Sequence, residues 1–305
     1  MEKLPDSFTQ NITSTFGAAG TTFLARLPAL LAECARRWQM TILPPFPNLS
    51  FNYAAPAILH DGTPAVLKLG VPRRDLQTEI DTLRLYDGDG CARLLDADPT
   101  LGAILLERLQ PGTLLSAHPE DEEATRIAAL VMRRLWRPVP AGCQFPTIED
   151  WFKGLHELRE TFAGGTGPFP ARLVEEAERL AADLFASLSP PVVLHGDLHH
   201  FNILAAAREP WLAIDPHGVI GEPAYEVGAL MRNPLPAFLD FPDPLGTLER
   251  RLTILAETLG FERARLRAWT VAQGVLSAWW GCEDQRGYLD PTWIAIAEQL
   301  AALKE

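Results

Sequence analysis

Cysteine is scarce in this 305-residue chain: Cys34, Cys91, Cys143 and Cys282 lie far apart and form no C-x-x-C pair. That spacing argues against a zinc or dithiol motif, and the four are expected to be free thiols. No apolar run reaches the ~20 residues that a membrane-spanning helix needs. The opening Met1-Glu2-Lys3-Leu4-Pro5-Asp6 lacks the basic-then-apolar order of a secretory signal, so a cytoplasmic location is expected. Positive charge is also in deficit, with 27 Lys and Arg against 39 Asp and Glu and a net charge of −12. Such a balance disfavours nucleic acid or an anionic membrane as the main partner. It suits a cationic small molecule, and in any case it keeps the chain soluble. Internal repeats and low-complexity stretches are absent, which excludes a repeat architecture. A monomer is expected.

What is present is ordinary for a folded soluble protein, with 47% hydrophobic and 22% charged residues. The length supports one large domain or two lobes. From Phe23 to Gln39, Leu27, Leu30, Leu31, Cys34 and Trp38 recur at helical spacing until Leu43-Pro44-Pro45-Phe46-Pro47 stops the helix. Ala54 to Leu59 and Ala65 to Leu69 flank Asp61-Gly62, a hairpin signal. A helix is predicted from Leu76 to Tyr86, then strands from Ala92 to Leu95 and Ala103 to Glu107. After Pro111-Gly112 the pattern turns to amphipathic helices. They run from about Glu120 to Trp136, Ala171 to Leu188, Leu248 to Leu259, Glu262 to Trp280 and Trp293 to Leu303. Two short apolar runs among them, Val192 to Leu194 and Trp211 to Ile214, read as strands. A strand-rich front and a helical back make the expected class α+β.

Each of those two late strands ends in polar residues. His195-Gly196-Asp197-Leu198-His199-His200-Phe201-Asn202 follows the first, and Asp215-Pro216 follows the second. Phosphoryl transfer gives these residue types a common purpose. Its transition state spreads negative charge over the phosphoryl oxygens, so the protein supplies positioning and cations more than covalent chemistry. Mg²⁺ takes oxygen ligands, which Asn202 and Asp215 would provide. Asp197 would accept, or at least orient, the proton of an attacking hydroxyl.

The run His195-Gly-Asp-Leu-His-His-Phe-Asn-Ile-Leu204, followed by Ile214-Asp215-Pro216, resembles the catalytic and metal-binding segments of aminoglycoside phosphotransferases. The doubled histidine and Trp211-Leu-Ala-Ile-Asp-Pro216 narrow the resemblance to the subgroup of streptomycin 6-kinases and hydroxyurea kinases. It continues through Gly221 to Gly228, through Arg232-Asn233-Pro234, and upstream through Thr63 to Leu69, covering most of the chain from about residue 50. The resemblance implies a protein-kinase-like bilobal fold: a small β-rich lobe over 1–107, a hinge at 108–112 and a larger helical lobe over 113–305, with ATP between them. It implies ATP and Mg²⁺ as cofactors, Asp197 as catalytic base, and Asn202 and Asp215 as metal ligands. Lys68 fits the lysine that contacts the α- and β-phosphates, and Glu79 the glutamate that holds it extended. Glu107-Arg108-Leu109 fits the adenine-binding hinge, and Glu226 an acid that braces the catalytic loop. The loop over the nucleotide departs from the kinase pattern, because Asn48-Leu49-Ser50-Phe51-Asn52-Tyr53 contains no glycine. Either Ser50 and Asn52 take over part of the phosphate contact or the loop covers ATP loosely.

Glu283 and Asp284 close a predicted helix after Trp279-Trp280, where acids oppose the helix dipole. A broken local rule of this kind is expected at functional sites, and lining a pocket for guanidinium or ammonium groups would offset the cost. Asp150, with Glu149, is a further candidate for the same wall. Three other readings compete: a kinase of the same fold acting on a sugar or amino alcohol, a nucleotide-binding module without catalysis, and a zinc hydrolase using His195, His199 and His200.

Overall fold

The computed structural model describes residues 4–284 and 289–304. By its internal contacts the chain divides into two compact units, Met1–Gly112 and Thr113–Glu305. The first opens with α1 (Asp6–Arg37), which bends at Gly17 where φ is 54°. The sequence pattern places this helix only from Phe23. Residues 6–22 are rich in Ser, Thr, Asn and Gly, poor helix formers. Burial of Phe8 and Ile12 decides the matter, since tertiary packing supplies most helical stability.

Five strands follow, β1 (Met40–Ile42), β2 (Tyr53–Leu59), β3 (Pro64–Leu69), β4 (Leu94–Asp98) and β5 (Ala103–Glu107), with α2 (Arg74–Tyr86) between β3 and β4. They form one antiparallel sheet in the order β1-β2-β3-β5-β4. The β2–β3 turn closes where the Asp61 carboxylate accepts from the Thr63 N–H at 2.9 Å. Ala55, Ala57, Ala65, Leu67, Leu69 and Leu105 join Phe23, Leu27 and Leu30 of α1 in one core. Successive residues of a strand point to opposite faces, so Lys68 faces away from Leu67 and Leu69. Strand β4 runs to Asp98 rather than Leu95, because the Asp98 carboxylate takes the N–H groups of Thr100 and Leu101 and forms the turn there.

In chain order the remaining elements are β6 (Pro111–Leu114), α3 (Asp121–Leu135), β7 (Arg137–Pro138), α4 (Ile148–Thr161), α5 (Ala171–Phe185), β8 (Val192–Leu194), β9 (Ile203–Ala206), β10 (Trp211–Ala213), β11 (Val219–Gly221), α6 (Val227–Met231), α7 (Pro244–Leu259), α8 (Arg263–Asp284) and α9 (Pro291–Ala301). Two small sheets, β10-β9-β6 and β11-β8-β7, lie among the helices. Helix α8 packs against α4, α5, α6, α7 and α9, and its Leu266, Trp269, Ala272 and Leu276 are buried. Around Trp269 the rings of Phe152, Phe185 and Tyr225 stand edge-on at 5.7, 5.6 and 5.4 Å, the arrangement that aromatic quadrupoles favour. Helix α7 starts on the Asp243 carboxylate, which accepts the Gly246 N–H, and ends at left-handed Gly260. Helix α5 stops at Phe185, short of the expected Leu188, whose side chain is exposed. No helix among the described residues is long and apolar enough to cross a membrane.

Candidate active site

The β9–β10 hairpin sets Ile203 opposite Ala213, so Asn202 and Asp215 emerge at the same end. The Ile214 N–H donates to the Asn202 carbonyl at 2.9 Å, and Asn202 Nδ2 donates to the Asp197 carbonyl at 2.9 Å. These bonds bring Asp197, Asn202 and Asp215 into one cluster. With Nδ2 committed to Asp197, Asn202 presents Oδ1 as the acceptor end of its amide. Asp215 holds φ at 63°, a left-handed conformation that costs a non-glycine residue about 1–3 kcal/mol and clusters at functional sites. An amide oxygen and a carboxylate are the hard donors that Mg²⁺ takes, so the residues present fit that ion.

The loop after β8 is braced from behind. Glu226 is buried, and its carboxylate accepts the backbone N–H groups of His195 at 2.8 Å and Gly196 at 2.9 Å. Burial pushes the Glu226 carboxyl up to about 7, while those two donors pull the other way. The buried His195 ring pairs through Nε2 with the Ile214 carbonyl at 2.8 Å, and its Nδ1 accepts the Asp197 N–H at 3.3 Å. That pattern makes Nε2 the protonated nitrogen, and burial holds the ring's pKa down at about 4. Gly196 has φ 88°, and a Cβ there would lie 2.7 Å from the Trp151 ring. Only glycine satisfies both demands.

The Asp197 carboxylate, 29% exposed, is gripped at both oxygens. Arg232 Nη2 donates to Oδ1 at 3.0 Å, and His199 Nε2 lies 3.3 Å from Oδ2. His199 Nδ1 accepts the Phe201 N–H at 3.2 Å, leaving Nε2 as the donor toward Asp197. Burial works to raise the Asp197 carboxyl, but the His199 ring, the Arg232 guanidinium and His217 outweigh it and hold the group well below the usual carboxylate range. A carboxylate so held is a weak base and a firm hydrogen-bond acceptor. In the first unit, Lys68 Nζ lies 2.8 and 2.9 Å from the two oxygens of Glu79, with both side chains buried. The pair joins β3 to α2.

The model of the family described as aminoglycoside/hydroxyurea antibiotic resistance kinase matches residues 52–285. This chain belongs to that family. It is 33% identical over 300 residues to a streptomycin 6-kinase of Streptomyces glaucescens, covering 98% of this chain and 97% of that protein. It is 35% identical over 294 residues to a hydroxyurea phosphotransferase of Kitasatospora aureofaciens, covering 93% and 82%. The fold is that of the protein-kinase-like phosphotransferases. The crystal structure of aminoglycoside phosphotransferase APH(4)-Ia with ADP and hygromycin B superposes with a TM-score of 0.63 at 15% identity, over 89% of this chain and 96% of that one. The choline kinase LicA of Streptococcus pneumoniae gives 0.63 at 13% identity, over 91% and 99%. As a member of this family the chain is a phosphotransferase, and a nucleotide is its cofactor.

The remaining residues singled out in the sequence fall as follows in this kinase. Ser50 is exposed in the bend ahead of β2. Glu107 ends β5, where its Oε1 accepts the Arg93 N–H at 2.8 Å, and Leu109 is buried just beyond it. Asp150 is the third residue of a capping box: its carboxylate accepts the Thr147 N–H at 3.0 Å, Thr147 Oγ1 accepts the Asp150 N–H at 3.1 Å, and Lys153 Nζ sits 2.6 Å away. The Lys153 bond, followed by those from Thr147, lowers the Asp150 carboxyl to about 2. Asp150 thus starts α4, a helix absent from the sequence reading although Thr147-x-x-Asp150 signals one. Glu283 is exposed on the last turn of α8; the Asp284 side chain lies outside the described residues. Trp279 is buried, whereas Trp280 is half-buried and meets Trp151 edge-on at 5.7 Å, and Trp151 meets the exposed His217 at 6.3 Å.

The zinc-hydrolase reading is corrected. Among the described residues no three His, Cys, Asp or Glu side chains converge as a metal site. The His195 ring nitrogens are engaged by the Asp197 N–H and the Ile214 carbonyl, those of His199 by the Phe201 N–H and the Asp197 carboxylate, and His200 is buried. Arg232, whose guanidinium meets Asp197, stands out in the sequence only as part of a family motif that assigns it no role. Its partner Gln273 lies 41 residues away, and no local pattern links the two.

Proposed function

We propose that this kinase transfers the γ-phosphate of ATP to a hydroxyl group of a cationic aminocyclitol of the streptomycin type or of hydroxyurea, and that this inactivation confers resistance. The observation that carries the reading is the doubly gripped Asp197 carboxylate within one hydrogen-bonded cluster with Asn202 and Asp215. Asp197 accepts a hydrogen bond from the acceptor hydroxyl and aims its oxygen, which is how positioned groups supply most of the rate in phosphoryl transfer. Asn202 Oδ1 and the Asp215 carboxylate would hold Mg²⁺. When bound, that ion neutralises charge on the phosphoryl oxygens. Lys68, kept extended by Glu79, presents its ammonium to the α- and β-phosphates, and the backbone from Glu107 to Leu109 takes the adenine. Ser50 lies in the loop that would cover the phosphates.

For the acceptor, the surface at His217, Trp151 and Trp280 adjoins the catalytic loop through Gly196. Glu283 and Asp284 at the end of α8 add negative charge for guanidinium or ammonium groups, and the overall charge of −12 favours cations in the same direction. Asp150 is held in its cap by Lys153 and Thr147, so its contribution is to place Trp151. ADP release with Mg²⁺ and ATP, measured against streptomycin, other aminoglycosides, hydroxyurea and simple sugars, tests the reading. Release that depends on streptomycin or hydroxyurea and vanishes in Asp197→Ala is expected; release equal with every acceptor, or unchanged in Asp197→Ala, would overturn it. Glu283→Ala with Asp284→Ala should raise KM for streptomycin well above any effect on ATP.

A further inference from the structure

Arg232 follows α6 and is 6% exposed. Its guanidinium is divided between two partners: Nη2 donates to Asp197 Oδ1 at 3.0 Å, and Nη1 donates to Gln273 Oε1 at 2.7 Å. Gln273 comes from the middle of α8 and is 1% exposed. Its side chain crosses α6 where residue 228 is glycine; a Cβ on Gly228 would lie 1.9 Å from Gln273 Oε1. The chain therefore carries a buried cation, a buried amide and a helical glycine along one line that ends on Asp197. Each has a cost: desolvation for the charge, a buried polar group that must be paired, and the poor helix propensity of glycine against alanine. Joining α6 to α8 does not require them, because apolar residues of similar volume pack at least as well as buried ions.

The two tethers on Asp197 approach from different elements. His199, which meets Oδ2, belongs to the same loop as Asp197; Arg232, which meets Oδ1, is bonded to α8 through Gln273. Without Arg232 the carboxylate has one tether, on its own loop, about which to turn. An ionised carboxylate offers about four lone-pair sites, and these two donors leave the others to the acceptor hydroxyl. We infer that Arg232, anchored by Gln273 in the space that Gly228 leaves, is a positioning residue that fixes the Asp197 carboxylate for the acceptor hydroxyl. This inference rests on the reading of Asp197 given above. It separates acceptor turnover from nucleotide binding: the relay acts on kcat and leaves ATP binding in place.

Steady-state kinetics with Mg²⁺, ATP and either streptomycin or hydroxyurea test it, on wild type, Asp197→Ala, Arg232→Met, Arg232→Lys, Gln273→Leu and Gly228→Ala. Circular dichroism and melting temperature show which variants are folded. Arg232→Met should lose about a hundredfold in kcat, the size of loss that a small misplacement of a reacting group produces, with KM for ATP within about twofold of wild type. Arg232→Lys, which keeps a cation on Asp197, should recover about tenfold of that loss. Gly228→Ala, whose Cβ would displace Gln273, and Gln273→Leu keep the Arg232 and Asp197 side chains themselves but remove the anchor, and should each lower kcat about tenfold, so they decide the matter should Arg232→Met fail to fold. The inference is overturned by folded variants that keep kcat within about threefold of wild type, by a loss seen only in KM for ATP, or by Arg232→Lys no better than Arg232→Met. Should Asp197→Ala itself turn over normally, or wild type phosphorylate neither acceptor, the underlying reading falls and this inference with it. An inert Asp197→Ala beside fully active relay variants removes the relay alone.

Discussion

At the residue scale, the buried pair of Lys68 and Glu79 holds two charges that each need the other. Breaking such a buried pair by replacing one member costs about 3–5 kcal/mol. Lys68→Met should therefore lower unfolding free energy by that amount in urea titration, and Lys68→Met with Glu79→Leu should recover most of it. Neither variant should regain activity, since the ammonium is lost in both. His195 and Glu226 make a pH prediction with opposed signs. The folded His195 ring titrates near 4, below its ordinary 6.5, so between those values the unfolded chain binds more protons and stability rises with pH. The folded Glu226 carboxyl titrates near 7, above its ordinary 4.5, so between those values the folded chain binds more protons and stability falls as pH rises. The two slopes oppose each other from about pH 4.5 to 6.5. Glu226→Gln should unmask the histidine, so that stability climbs with pH across that window in denaturant melts; a slope no steeper than wild type would reject the assignment.

At the scale of elements, α4 and the catalytic loop meet through Trp151 and Gly196. Thr147→Ala removes the cap that starts α4 and should cost about 1 kcal/mol, read as a lower denaturation midpoint with an unchanged slope. Gly196→Ala meets both a left-handed φ of 88° and the Trp151 ring, so it should cost at least the ~1–3 kcal/mol of a strained non-glycine residue and lower acceptor turnover too. Elements with a strong period or a clear turn are legible in the sequence alone: β2 and β3 around Asp61-Gly62, the β8 and β10 strands, and the amphipathic α3, α5 and α7. Others escape it: α4 despite its capping box and the helical spacing of Ile148, Phe152, Leu155 and Leu158, and several elements with weak or short patterns. The first half of α1 is rich in Thr and Gly and is held by Phe8 and Ile12, while α6 spans only five residues and β11, Val219–Gly221, lacks the uninterrupted apolar run that marks β8 and β10.

For the whole molecule, chelation gives the broadest test. Excess EDTA should abolish transfer, and added Mg²⁺ should restore it; Asp215→Ala should lose Mg²⁺-dependent ATP binding as well as turnover, measured by calorimetry with and without the ion. The sequence alone determined the class of chemistry. An Asp, an Asn five residues on and a second Asp after the following hairpin sit close by chain geometry, because a short hairpin brings its two ends together. Tertiary structure decided the rest of what surrounds the Asp197 carboxylate. His199, two residues along its own loop, is joined there by Arg232 and His217, 35 and 20 positions away along the chain, and Arg232 is bonded in turn to Gln273. Electrostatic and hydrogen-bonding effects act through space over a few ångströms, and no local pattern of residues encodes which distant side chain the fold will bring within that reach.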